Sequence, residues 1–341
     1  MSRAFLKSDG AILLGERVSC DGFAWKRPIR VQTHIHSDHM VDFDTSKANQ
    51  TIVMSKETLA LLNALLNADV PYRSNLIEIP PDAKFSIDGE QIELVSSQHM
   101  LGSVQVKVTC SDGYRVGYSS DFFWPLESPI QVDELVVDST YGDPTRTRRF
   151  DQQLADDCLE QIAVSNIARG LSTACIGHNG RIQHALHLLS NVIPWPIICS
   201  PRAFRLVKVY RQYGYRMPSV LESTSAEGIA LLRARQPCFA FATLPEQRHL
   251  PWIDRLRKIH LSAYISSPEH PLTRYDNGDF CIALTDHADF CGTMEYIRAT
   301  GAKVVYTNPR SGNAIALAEA VRAQLGVEAD VIPEIKSYEW G

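Results

Sequence analysis

Residues 33–39 read Thr-His-Ile-His-Ser-Asp-His and place three imidazoles and one carboxylate within six positions. They follow a short apolar run that is typical of a β-strand. If the strand continues to His36, alternation puts His34 and His36 on one side of the backbone, where two imidazole nitrogens can bind one divalent ion. Asp38 and His39 then belong to a loop that can turn toward a second ion. The segment therefore predicts a metal site.

The ligand types indicate which ion and which reaction. Imidazole and carboxylate together suit Zn²⁺ first, and Mn²⁺ or Fe²⁺ second. Two such ions about 3.5 to 4 Å apart form the arrangement that promotes phosphoester hydrolysis. The alternative is a solvated polar loop that binds no ion.

Single imidazole or carboxylate side chains follow several other strand-like runs. They are His99 after the run 92–95, Asp121 after 115–118, Asp138 after 135–137 and Asp21 after 18–20. His99 and Asp21 have ordinary alternatives, since a lone histidine is often structural and Asp21 begins an Asp-Gly turn. Strand ends that share one sheet edge can nevertheless bring scattered ligands together.

Composition limits the class of protein. The chain has 341 residues, of which 45% are hydrophobic and 21% charged, as in a globular protein with two domains. Its formal charge of -5 gives no general attraction to nucleic acid, so any such site must be a local basic patch. Eight cysteines without a Cys-x-x-Cys pair indicate reduced core thiols. No apolar span approaches membrane length, and we expect a cytoplasmic protein without a membrane partner.

One basic segment stands out against the acidic composition. Residues 202–216 hold five cations interleaved with aromatic rings and contain no acid. Arg205, Lys208 and Arg211 are candidates for contacts with nucleic-acid phosphates, with the rings stacking on bases. The alternative is an amphipathic helix whose tyrosines pack inward.

The order of these segments resembles that of the metallo-β-lactamase-fold nucleases of the β-CASP group. This group contains bacterial ligase-associated DNA exonucleases, Artemis-like DNA nucleases and pre-mRNA 3′-end endonucleases. Segment 33–39 is similar to the group's His-x-His-x-Asp-His motif, and His-Met-Leu-Gly-Ser at 99–103 to its next ligand segment. Asp-Ser-Thr-Tyr-Gly at 138–142 resembles the segment that opens the β-CASP part, and Thr-Asp-His-Ala-Asp at 285–289 the one that closes it. The likeness covers nearly the whole chain.

The resemblance implies an α/β fold in which an αββα metallo-β-lactamase sandwich carries an inserted α/β β-CASP domain. The first part of the sandwich domain would cover 1–149, the insertion 150–280 and the second part 281–341.

The resemblance also implies roles for individual residues. His34, His36 and His99 would hold one Zn²⁺ ion, Asp38 and His39 a second, and Asp121 would bridge them. Asp21 and Asp138 would orient ligand imidazoles. His287 would contact the scissile phosphate or protonate the leaving oxygen, and Arg181, in a Gly-Arg-x-Gln segment, would face phosphate or remain a solvated arginine of a plain βα turn. Asp38, Asp121 and His287 would be the catalytic groups.

The implied function is that of a zinc-dependent nuclease, with Mn²⁺ as an alternative ion and DNA favoured over RNA. We expect an exonuclease of DNA repair or processing. An RNA-processing ribonuclease is the first alternative, and a small-molecule metallo-hydrolase the second, although that class lacks the inserted lobe. A catalytically silent subunit would have lost ligands. RNA-processing members carry a histidine where this chain has Asn308, which predicts a weaker second ion and favours DNA.

Overall fold

The computed structural model describes residues 2–66, 69–80, 83–262 and 267–335. The chain forms two compact units. The first joins the residues up to Thr147 with those from His287 onward, and the second comprises Arg148–Asp286, where the sequence predicts an insertion at 150–280. Both units are mixed α/β, so the predicted α/β class is confirmed.

The first unit contains two seven-stranded sheets. Sheet A has the order β21-β1-β2-β3-β4-β5-β6 and sheet B the order β20-β19-β11-β10-β9-β8-β7. The strands of sheet A are β1 (Ala4–Lys7), β2 (Ile12–Leu14), β3 (Val18–Cys20), β4 (Ile29–Val31), β5 (Thr51–Met54), β6 (Leu76–Glu78) and β21 (Glu334–Ile335). Those of sheet B are β7 (Lys84–Ile87), β8 (Glu90–Ser96), β9 (Val104–Thr109), β10 (Arg115–Tyr118), β11 (Glu134–Val137), β19 (Val304–Thr307) and β20 (Glu328–Val331).

Alternation along the strands builds two cores in this unit. One face of sheet B packs against sheet A, as Val106 and Val136 do against Val18 and Val31. The next residues along β11, such as Val137, face the opposite way and pack against helices. The helices of the unit are α1 (Phe43–Asn49), α2 (Lys56–Leu65), α8 (Phe290–Thr300) and α9 (Ala314–Leu325). Helices α8 and α9 cover sheet B, and α1 lies against β5 of sheet A.

The second unit is built on one mainly parallel sheet. Its order is β14-β13-β15-β12-β16-β18-β17, and β17 pairs antiparallel with β18. The strands are β12 (Thr173–Gly177), β13 (Ile197–Cys199), β14 (Leu221–Glu222), β15 (Phe239–Thr243), β16 (Arg257–Leu261), β17 (Leu272–Arg274) and β18 (Phe280–Ile282). The helices are α3 (Gln152–Ala168), α4 (Arg181–Leu188), α5 (Pro201–Gln212), α6 (Ala226–Ala234) and α7 (Leu244–Gln247). Separate hydrophobic cores cover the two faces of this sheet.

Strand direction brings the predicted site residues to one edge of sheet B. β10, β11 and β19 are parallel neighbours, so their carboxyl ends, and therefore Asp121, Asp138 and Asn308, lie at the same edge. β8 runs in the same direction as β10, because both pair antiparallel with β9, and it leads into His99. Among the described residues, no helix combines the length and apolar character needed to cross a membrane.

Candidate metal centre

The histidine loop leaves the end of β4 and passes into a short 3-10 turn, Ser37–His39. His34 is fully buried and His36 is partly buried. Their rings meet edge to face with centroids 4.8 Å apart. The two imidazoles therefore enter one common site, although β4 ends at Val31 and does not continue to His36, which the prediction from alternation requires.

Four side chains from three parts of the chain meet there. His34, His36, His99 and Asp121 each offer one ligand atom, and these atoms lie within 4.8 Å of one another. His36 Nδ1 lies 3.1 Å from His99 Nε2. Asp121 Oδ2 lies 3.6 Å from Nε2 of both His34 and His99.

The state of His34 shows that this cluster suits a metal ion. Its Nε2 is buried, and no described residue hydrogen-bonds to that atom. Burial also holds the pKa of His34 well below its usual range, so the imidazole is in the neutral form that binds metals. Tetrahedral Zn–N bonds of about 2.0–2.1 Å separate ligand atoms by roughly 3.4 Å. The separations of 3.1 and 3.6 Å match that spacing.

Asp121 also faces the loop that carries Asp38 and His39. Its Oδ1 lies 3.3 Å from His39 Nε2, whereas its Oδ2 faces His34 and His99. Asp38 Oδ2 lies 3.8 Å from the same nitrogen, on a side chain that is 72% exposed. Burial opposes a charge on Asp121, but the charges of His39 and His287 hold its pKa well below the usual range. One ionised carboxylate thus faces His34 and His99 through one oxygen and His39 through the other. Among the described residues, Asp38 and His39 complete no three-residue ligand cluster with it.

Asp21 holds His39 in place from behind. Its buried carboxylate accepts hydrogen bonds from Thr33 N at 2.9 Å and from the Thr33 hydroxyl at 2.7 Å. The oxygen that accepts from the hydroxyl, Oδ2, also lies 2.7 Å from His39 Nδ1. Burial opposes a charge on His39, but Asp121 and Asp21 raise its pKa well above the usual value. A His39 that ligates through Nε2 would donate its Nδ1 proton to Asp21.

His287 lies beside the same cluster. Its ring centroid is 4.6 Å from that of His99, and its Nε2 is 3.9 Å from Asp121 Oδ2. Its Nδ1 lies 3.4 Å from Asp138 Oδ2. Asp138 Oδ1 in turn accepts a hydrogen bond of 2.8 Å from Ser311. The structure therefore brings His287 and Asp138 together and adds Ser311, which the sequence analysis does not identify.

Two further buried side chains behind the loop are absent from the sequence prediction. Arg30 and Gln32 both donate hydrogen bonds to the carbonyl oxygen of His39. The only signal for them in the sequence is a charged and a polar residue within an apolar, strand-like run. Asn308, by contrast, uses its Oδ1 to accept from Arg310 N at 3.1 Å.

The fold resembles the crystal structure of a protein of unknown function from Enterococcus faecalis V583, with a TM-score of 0.54 at 13% identity over 82% of this chain and 74% of that one. In sequence, the chain is 35% identical over 137 residues to an uncharacterized protein in the lig 3′ region of Acidianus ambivalens. The alignment covers 94% of that protein and 38% of this chain. The chain belongs to the family of this Acidianus protein.

A longer alignment relates the present chain to a probable DNA ligase of Opitutus terrae. The two are 24% identical over 324 residues, or 91% of this chain. The chain spans only 29% of the length of that ligase. No family profile matches the sequence.

The predicted nucleic-acid contacts lie in the second unit. On α5 the side chains of Arg205, Lys208 and Arg211 are exposed, at intervals of three residues that place them near one another on the helix. Lys208 Nζ lies 4.5 Å above the ring of Phe204. Tyr210 is buried, as the packing alternative predicts for the tyrosines, whereas Tyr213 is half-buried and Tyr215 is exposed. The cations thus form a solvent-facing strip, and their role in binding stays a prediction.

Arg181 has a different environment from these exposed cations. It begins α4 and is buried, and its guanidinium donates to Asp286 Oδ1 with N–O distances of 2.7 and 2.9 Å. A phosphate contact by Arg181 remains a prediction, and the ion pair with Asp286 would have to rearrange or be shared for such a contact to form.

Proposed function

We propose that this protein is a metal-dependent nuclease that hydrolyses phosphodiester bonds of DNA. The observation that carries the proposal is the position of Asp121, whose Oδ2 faces His34 and His99 while its Oδ1 faces His39. A carboxylate in that position can be shared by a pair of ions, and a pair of ions is suited to phosphoester hydrolysis.

The architecture supports the same class of enzyme. Two facing sheets with helices against the outer faces, interrupted by a separate α/β unit, are the arrangement expected of a metallo-β-lactamase fold with a β-CASP insertion. We therefore assign the chain to that fold as part of the proposal. A small-molecule hydrolase of this fold would not need the second unit.

In this proposal His34, His36, His99 and Asp121 hold one ion, and Asp38, His39 and Asp121 hold the other. Two Zn²⁺ or Mn²⁺ ions there would neutralise phosphate charge and lower the pKa of an attacking water.

His287 is the group assigned to proton transfer. Its Nε2 points toward Asp121, while its Nδ1 faces Asp138, which fixes the orientation of the ring. In that orientation Nε2 can donate a proton to the leaving oxygen. Ser311 keeps Asp138 in place for this purpose.

The choice of DNA as the substrate rests on the relatives. One is named as lying in a lig 3′ region and the other as a probable DNA ligase. We propose on this basis that the protein acts in DNA repair or processing together with a DNA ligase. The resemblance of the sequence to ligase-associated exonucleases is the basis for proposing that it degrades DNA from an end. The exposed cations of α5 would bind the substrate backbone.

The test uses purified protein with added Mn²⁺ or Zn²⁺ and end-labelled single- and double-stranded DNA and RNA. We expect DNA to be shortened, and EDTA to stop the reaction. Asp121→Asn should lower the rate by at least about a hundredfold, since it alters the ligand shared by both ions. Asp112 is a surface carboxylate of the same unit that pairs with Arg3, and the control variant Asp112→Asn should keep full activity.

Full hydrolysis in EDTA, or an Asp121→Asn variant as active as Asp112→Asn, would rule out the metal-dependent mechanism. Equal cleavage of RNA and DNA would remove the preference for DNA. Cleavage of small esters or lactones with none of nucleic acid would assign the protein to the other hydrolase class.

A further inference from the structure

A fully buried arginine lies behind the loop that carries Asp38 and His39. Arg30 is the middle residue of β4, and its neighbours Ile29 and Val31 point into the core between the two sheets. Because side chains alternate along a strand, Arg30 points to the other face of sheet A. There its guanidinium lies 5.2 Å from the ring centroid of Phe43 in α1.

The guanidinium donates hydrogen bonds to the main chain of the loop. Its Nη1 donates to the carbonyl oxygen of Val41 at 2.7 Å, and its Nη2 donates to that of His39 at 3.2 Å. Arg30 also donates to Gln32 Oε1, and Gln32 Nε2 donates to the His39 carbonyl at 3.0 Å. Arg30 and Gln32 thus hold the carbonyl groups of His39 and Val41, which lie on either side of Met40.

Arg30 carries a buried charge that is not hydrogen-bonded to any described carboxylate. Within the described residues, its hydrogen-bond acceptors are carbonyl, amide and hydroxyl oxygens, and none is a carboxylate. Burying a cation without a hydrogen-bonded anion is costly, and an apolar side chain would fill the same space at a lower cost. What an apolar side chain would not do is hold the two carbonyl groups of the loop.

We infer that Arg30 is a positioning residue for the second metal site, because it holds the main chain of His39 while Asp21 holds the imidazole. This inference rests on the proposed function, since it requires His39 to be a metal ligand. Arg30 makes no direct hydrogen bond to His34, His36 or His99, and it reaches the His34 carbonyl only through Gln32 Nε2, at 2.6 Å. Its loss should therefore weaken the second ion much more than the first.

The experiment is a calorimetric titration of the metal-depleted, full-length protein with Mn²⁺. Mn²⁺ binds such ligands more weakly than Zn²⁺, which brings both dissociation constants into the measurable range. Arg30→Met should weaken the second ion about 10- to 100-fold, the usual effect of removing a group that supports a ligand. The first dissociation constant should change by less than about threefold.

Arg27→Met is the matched control. Arg27 is also a buried arginine of this unit, but its Nη1 donates to the carbonyl oxygen of Gly15 instead of the metal loop. If Arg30→Met does not fold, Arg30→Lys replaces it, because a lysine keeps the charge and its compact ammonium lacks the fork that reaches both carbonyl groups. Arg30→Lys should weaken the second ion by at least about fivefold.

The outcomes separate the inference from the proposed function. Two ions in the wild type and an unchanged second constant in the Arg30 variant would overturn the inference alone. An equal loss in the Arg27 and Arg30 variants would do the same, because it would point to general destabilisation. A wild type that binds no Mn²⁺ would overturn the metal site and, with it, the inference.

Discussion

Replacing Asp21 by asparagine changes one atom on which His39 depends. Asparagine tolerates the left-handed backbone of this position, where φ is 58°. The Thr33 N–H is a fixed donor and should keep the amide oxygen in the Oδ1 position, 2.9 Å away. The amide NH₂ then takes the Oδ2 position and faces both the Thr33 hydroxyl and His39 Nδ1.

The consequence for His39 follows from its tautomers. The Thr33 hydroxyl can rotate and accept, but His39 can accept at Nδ1 only if its proton moves to Nε2. Nε2 is the atom that faces Asp121, so a proton there blocks ligation. In the wild type the ligating tautomer donates its Nδ1 proton to the Asp21 carboxylate, and the variant loses this charge-assisted hydrogen bond, which is worth about 1.5–3 kcal/mol. At about 1.4 kcal/mol per tenfold, the second ion should bind roughly 10- to 100-fold more weakly.

Titration of metal-depleted Asp21→Asn protein with Mn²⁺ measures this effect directly. The first ion, assigned to His34, His36 and His99, should keep its affinity, and Asp112→Asn should leave both ions unchanged. Near-UV circular dichroism should show that the fold is retained. A second ion bound as tightly as in the wild type would refute the assignment of His39. A loss confined to the first ion would show that Asp21 supports a different ligand.

Two further predictions concern the surface of the second unit and the stability of the first. Replacing Arg205 and Lys208 by glutamate should weaken the binding of single-stranded DNA. The slope of log K against log salt concentration should become shallower by about 0.7 for each phosphate that is no longer neutralised, whereas Arg233→Glu should leave binding and slope unchanged. An unchanged slope in the double variant would mean that the strip does not bind DNA. The hydrogen bond from Arg115 lowers the pKa of Asp133 from 3.8 to about 2, which corresponds to about 2 kcal/mol of stability. This stability is present above about pH 4 and is lost toward pH 2. The difference in the free energy of unfolding between the wild type and Asp133→Asn, measured by urea unfolding, should therefore shrink over that range. A difference that stays constant would contradict the prediction.

The sequence indicates the candidate ligands of the main site because they follow strand-like runs, and the strand pairing of the structure brings them together. Parallel neighbours such as β10 and β11 must end at the same edge, so polar residues that follow apolar runs converge there without knowledge of the side-chain packing. His99 could be added for the same reason, although a single histidine carries little information by itself. Strand order and direction therefore determine most of the candidate site.

The supporting residues could not be predicted in this way. Arg30 lies in an apolar run, where a charge is expected at a strand edge or against solvent, yet it is fully buried. Its role depends on α1 and the loop after β4 folding over it, and these contacts are tertiary. The strip on α5 is an intermediate case, because helical periodicity separates exposed Lys208 from buried Tyr210 but does not reveal a ligand.

The position of Asn308 in the sequence does not reveal the role of its side chain. By strand register it is level with Asp138, and it is the position at which the resemblance to RNA-processing nucleases implies a histidine. Its amide oxygen, however, accepts from Arg310 N within the same turn, and that turn presents Ser311 to Asp138. The turn thus supports Asp138 through the side chain of Ser311, which lies three positions after Asn308. In the proposed site, a second ion without a ligand from Asn308 would depend more heavily on His39, so the groups that hold His39 should largely determine its affinity.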